Sequence, residues 1–164
     1  MDDEKVEELL GELGPLNKSI QLVQRGSAPS SWDIFLGDES DGEIMSVGVS
    51  HQSQDRKLVL FSSLAVPDAE NEAPTYEMLL TFNGLWTETG GQRMALDGDG
   101  LPMLVMDLSL PGLDASALAA QLEAFATRAM SWQVLLEQGG FDAGQAPGTD
   151  DPAEASNQEH VLRV

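Results

Sequence analysis

Between Asp114 and about Glu137, apolar residues recur at Leu118, Leu122, Phe125, Ala129, Trp132 and Leu136, at spacings of 4, 3, 4, 3 and 4. That repeat lays one buried stripe along an α-helix. Upstream the period changes to two. Met45, Val47 and Val49 alternate with Ser46, Gly48 and Ser50, as in an antiparallel strand with one face on a core. A chain holding both periods is of mixed class, and the order of its segments limits the topologies open to it.

That order can be followed from the N-terminus. Val6, Leu9, Leu10 and Leu13 follow the i, i+3, i+4, i+7 rule and predict a helix over residues 3–13, with Asp2, Asp3 and Glu4 at its dipole-favoured start and Gly14-Pro15 at its end. Strands are expected at Ile20 to Gln24, Trp32 to Leu36, Glu43 to His51 and Lys57 to Val66, with a loop at residues 26–31 and a polar turn at residues 38–42. The fourth is apolar on both faces, as a central strand would be. Pro74 suits the first turn of a helix running to Trp86. Strands at Gln92 to Asp97 and Leu101 to Leu110 flank Asp97-Gly98-Asp99-Gly100, a strong hairpin signal. Leu104, Met106, Leu108 and Leu110 share one face of the second strand. Asp114 or Ser116 can cap the last helix, and Gly139-Gly140 ends it. The expected fold is α+β, ordered α-β-β-β-α-β-β-α, a twisted antiparallel sheet flanked by helices. Residues 1–140 make one domain, and 141–164, rich in Gly, Ala, Pro, Asp and Glu without periodicity, a disordered acidic tail.

Charge excludes whole classes of partner. The 164 residues carry 28 acidic groups against 8 basic ones, a formal net charge of −20. Nucleic acid and anionic membrane both require clustered Lys and Arg. With no cysteine, disulfides and thiolate chemistry are absent. The acidic start is unlike a signal peptide, and no apolar run approaches the roughly 20 residues of a membrane span. A soluble cytoplasmic protein is expected.

Catalytic and metal signatures do not assemble. Asp97-x-Asp99-Gly100 begins like a calcium loop, but its twelfth position is Leu108 where a Glu is needed. His51 and His160 are the only histidines, so a triad or a histidine-based metal site would rest on His51 alone. No Walker or dinucleotide-binding glycine motif is present. No catalytic residue, metal or cofactor is expected, and the chain is not expected to be an enzyme. The surplus of apolar faces points to protein binding. On the helix Tyr76–Trp86, apolar on more than one side, Leu79, Phe82, Leu85 and Trp86 are the candidate anchors of a subunit interface. For a bound client the candidates are the stripe Val6, Leu9, Leu10 and Leu13 and the strand residues Ile34, Leu36, Met103 and Val105. Met45, Met103 and Met106 could adapt to varied partners.

Several stretches resemble the type III secretion chaperones of the Tir-chaperone (CesT-like) family. Leu58-Val59-Leu60-Phe61-Ser62-Ser63-Leu64 is similar to the family's third strand. Asn83-Gly84-Leu85 and Thr89-Gly90-Gly91 are similar to its central helix and exit. Met94-Ala95-Leu96-Asp97 is similar to its fourth strand, and Leu108-Ser109-Leu110-Pro111-Gly112-Leu113-Asp114 to the approach to its last helix. The chain departs from the pattern in its long tail after Gly140 and in the loop within Ile20 to Ser40. The resemblance implies a homodimer in the bacterial cytoplasm, without ATP or metal. It would bind a secreted effector near its N-terminus, keep that segment non-globular and present it for export. A partner of the same fold that sequesters a regulator of secretion genes is the alternative.

Overall fold

Asp2 starts the fold: its carboxylate accepts the backbone N–H of Lys5 at 3.1 Å and caps helix α1 (Asp3–Gly11). The cap satisfies a donor that the first turn leaves without an intrahelical partner. The computed structural model describes residues 2–37, 44–85 and 87–138. The polar turn at 38–42, Trp86, the Gly139-Gly140 stop and the tail lie outside them.

The helix expected over 3–13 is two. A single-turn helix α2 (Leu13–Leu16) follows α1 and contains Gly14-Pro15, the pair expected to end the helix. Proline is tolerated there because the first turn leaves its N–H positions without helical acceptors. Leu13 is fully buried and anchors the extra turn.

Strands β1 (Ile20–Arg25), β2 (Ser31–Gly37), β3 (Ile44–Gln52) and β4 (Lys57–Ser63) follow one another as antiparallel neighbours. Residues Ile20 to Gly37 thus supply two strands, with a register shift between Ile20 and Leu22, so four strands precede the next helix where the expected order counted three. Helix α3 (Glu72–Gly84) then leads to β5 (Gln92–Leu96), which takes the far edge. Strand β6 (Pro102–Ser109) returns between β5 and β4, so the order is β1-β2-β3-β4-β6-β5. The tight return is made by Asp97, whose Oδ1 accepts the N–H groups of Asp99 and Leu101 at 2.9 and 2.8 Å. Gly100 sits there at φ +83°, a conformation that glycine adopts without strain.

Register sorts the sheet's side chains. Trp32, Ile34 and Leu36 lie opposite Val49, Val47 and Met45, Val49 opposite Leu60, and Leu60 opposite Met106. Apart from Met45, which packs half-buried against it, these residues belong to one core with Val6 and Leu10 of α1, Leu79 of α3 and Leu118, Leu122, Phe125 and Ala129 of helix α4 (Ala115–Glu137). Asp114 caps α4, its Oδ1 accepting the Ala117 N–H at 2.8 Å. Each large side chain wholly buried here contributes about 1.5–3 kcal/mol. The other sheet face carries Phe35, Gly48, Val59, Phe61, Met103 and Val105, none of them part of that core.

Candidate protein-interaction surfaces

Helix α3 must satisfy two sides at once. Leu79 faces the core. Phe82 meets Trp132 of α4 edge to face, with ring centroids 5.2 Å apart at 82°, a favoured aromatic geometry. The third side is left open: Leu80 is 70% exposed, and beyond the helix end Leu85 is exposed as well. Tyr76, Leu79, Leu80, Met94, Ala95 and Leu96 line an apolar groove of about 310 Å³ between α3 and the edge strand β5, and Leu96 is 53% exposed. Asn83 fixes the groove floor, donating through Nδ2 to the Met94 carbonyl at 3.0 Å and accepting the Met94 N–H on Oδ1 at 2.7 Å. Asn83→Ala deletes both bonds and leaves partly buried backbone groups unpaired, at an expected cost of about 1–3 kcal/mol in urea unfolding.

Of the four expected interface residues, only Leu85 is placed in the open. Leu79 is buried, Phe82 is half-buried against Trp132, and Trp86 is not among the described residues. Leu80 and Leu96 are the apolar residues that the sequence reading passed over. Helical period puts Leu80 beside Tyr76, but only the placement of β5 at the sheet edge leaves both leucines uncovered.

The client candidates divide likewise. Val6, Leu10 and Leu13 lie in the subunit's core, and Ile34 and Leu36 are buried on the same side of the sheet. The helix stripe expected to grip a client is filled by the chain's own sheet, because a short amphipathic helix gains most by burying its apolar side. Leu9 and Met103 are half-buried and Val105 is buried. Of the three adaptable methionines, Met106 is core, while Met45 is half-buried with its sulfur 3.2 Å from the Ser62 hydroxyl.

On the second sheet face, Phe61 lies flat across Gly48: a Cβ built at Gly48 would stand 2.2 Å from the ring. Gly48 is thus a site of close approach that glycine alone fits. Beyond that pair β3 and β4 part, opening a cleft of about 430 Å³ lined by Met45, Ser46, Phe61, Ser63 and, from α4, Gln133. On the same face the Asp107 carboxylate takes Lys57 Nζ at 2.8 Å and Arg93 Nη2 at 2.7 Å. Burial pushes Asp107 up, but hydrogen bonds from Lys57 and Arg93 outweigh it and hold the carboxyl below its ordinary value. Edge strand β1 offers unpaired backbone on its outer side and shows Leu22 half exposed, with Leu16 of α2 exposed too.

A polar clasp ties α1 to the sheet. His51 is buried and its Nδ1 lies 2.6 Å from Asp3 Oδ1; since a carboxylate only accepts, the ring donates from Nδ1. Ser30 donates to Asp3 Oδ2 at 2.6 Å. The Ser30 hydrogen bond and then His51 hold the Asp3 carboxyl below its ordinary value. One turn on, Glu7 pairs with Arg25 at 2.9 Å, and that guanidinium lies 4.9 Å from the centre of the Trp32 ring. His51 therefore has a structural partner. Among the described residues no three metal-ligating side chains gather, and no helix is long and apolar enough to cross a membrane.

An α+β domain with exposed apolar grooves and an open sheet edge offers surfaces of the kind on which other polypeptides dock. The chain belongs to the Tir chaperone protein (CesT) family, whose family model it matches over residues 43–133, more than half its length. The fold is similar to that of the HopA1–SchA chaperone–effector complex, with a TM-score of 0.61 at 14% identity over 82% of this chain and 98% of the other. It is also similar to that of the ExsC–ExsE complex, with a TM-score of 0.58 at 18% identity over 83% of this chain and 97% of the other. YbjN from E. coli shares the fold more loosely, with a TM-score of 0.53 at 13% identity over 84% and 93% of the two chains. No curated protein matches the sequence.

Proposed function

We propose that this protein is a bacterial type III secretion chaperone that binds the N-terminal region of an effector. It keeps that segment soluble and secretion-competent and delivers it to the export apparatus. The observation that carries this reading is the family match over residues 43–133, and the fold it shares with a chaperone–effector complex supports it. The protein works in the cytoplasm, by binding and without a covalent step. An extended client adds backbone hydrogen bonds along β1 and sets apolar side chains on Leu22 and the Phe61 face. Such a client loses chain entropy on ordering, so the contact must be wide, of order 1,000–3,000 Å².

Two copies widen it. A homodimer pairs through the α3–β5 groove, where Leu80 and Leu96 of one copy cover those of the other, an isologous contact. Co-expression with candidate effectors, followed by co-purification and mass measurement, tests the whole reading. The expected species is two copies with one effector segment. A monomer that retains no effector would overturn it. Leu80→Asp, at a site already in solvent, should leave the subunit folded and weaken dimerisation by about 2 kcal/mol or more, roughly 30-fold. Sedimentation measures it.

A further inference from the structure

The strip of sheet beneath α1 holds two polar atoms with no protein partner. Trp32 Nε1 and His51 Nε2 are both buried and have no hydrogen-bond partner among the described residues. The two side chains are near neighbours, since Trp32 pairs with Val49 and the His51 N–H bonds to the Ser30 carbonyl. Unsatisfied buried polar atoms are costly. The element above them is a nine-residue helix, too short to persist without its tertiary contacts. Its polar tether at that end is the Asp3 carboxylate, held by His51 and Ser30. Ser30 takes part from a left-handed backbone, φ 53°, which a serine adopts only at some strain.

We propose that α1 is a displaceable occupant of this strip, and that the strip is a site for an amphipathic helix of a partner. This rests on the client-binding reading above and goes further, because it assigns the client a helical segment as well as an extended one. Helix α1 itself displays the chemistry that the strip accepts. A carboxylate meets His51 and Ser30, and apolar side chains follow at three and seven positions beyond it, as Val6 and Leu10 follow Asp3. An incoming helix with that pattern reproduces the clasp and the burial, and α1 swings away on its α2 hinge. The expectation that Val6, Leu10, Ile34 and Leu36 concern client binding then takes another form: the first two are what a client replaces, the last two part of the surface it would reach.

The test uses the full chain in three forms: unaltered, Asp3→Ala, and Glu4→Ala as a control that removes an exposed charge from the same helix. Hydrogen exchange is followed in α1, β3 and β4. The probe is a fluorescein-labelled peptide with the sequence of residues 2–16. Asp3→Ala should exchange at least about tenfold faster in α1 with β3 and β4 unchanged. It should also bind the peptide at least about tenfold more tightly than the unaltered chain, since its internal competitor is weakened. Glu4→Ala should match the unaltered chain in both. Exchange rising in α1 and the sheet together would make Asp3 a part of global stability only, and would overturn the proposal. Equal peptide binding by all three forms, or binding by none, would overturn it as well. Co-purification of an effector alongside such a failure would leave the chaperone reading standing and remove only the displaceable helix.

Discussion

Phe125→Ala is expected to cost about 3–5 kcal/mol of folding stability, the usual range for a fully buried phenylalanine. The ring is inaccessible, at the middle of α4, in the core that joins that helix to the sheet. Removing it forfeits apolar burial and leaves a cavity that its neighbours Leu118, Leu122 and Ala129 cannot close, because they are themselves fully packed. A domain of this size has only about 5–15 kcal/mol in hand, so much of the population should unfold at modest urea. Val134→Ala lies on the same helix but half in solvent, and should cost under about 0.5 kcal/mol. Urea midpoints of the two variants measure the difference. Equal midpoints would mean that α4 does not close the core.

Gly48→Ala is expected to destabilise by about 1–3 kcal/mol through overpacking. The added methyl would occupy the space of the Phe61 ring, 2.2 Å from its nearest atom. Either the ring turns off the sheet or the two strands part further. Both uncover Val105, which lies opposite Phe61 in the β4–β6 register and is buried. In a Phe61→Ala background the methyl meets no ring, and the same substitution should approach neutrality, because alanine loses less chain entropy than glycine in a strand. The double-mutant cycle should therefore give a coupling of about 1 kcal/mol or more. A coupling near zero would show that the ring does not depend on glycine beneath it. Since Phe61 also lines the cleft between β3 and β4, the Gly48→Ala chain should hold an effector more weakly than the unaltered one.

The periodic elements were legible before any coordinates. The α4 stripe from Leu118 to Leu136, the alternation through Met45, Val47 and Val49, the Asp97–Gly100 turn and the Asp114 cap are local patterns, and each appears where period and propensity put it. Local signals failed where two local rules competed. Gly14-Pro15 read as a stop, yet the buried Leu13 draws another turn onto the core. Sites were less legible than elements. The stripe Val6, Leu10 and Leu13 was visible as a stripe, but a stripe does not say whether a subunit or a client will cover it.

By itself the sequence determined most of the segments that are helix or strand, the mixed α+β class, the acidity, and membership in a chaperone family, because these follow from neighbours along the chain. Tertiary structure decided that β5 takes the edge, that Leu80 and Leu96 stay in solvent, that Phe61 covers Gly48, and that Asp3 reaches across 48 positions to His51. The physical reason is that burial and pairing are properties of the packed whole. A side chain's period sets the face it occupies, and only the arrangement of the other elements sets what that face meets.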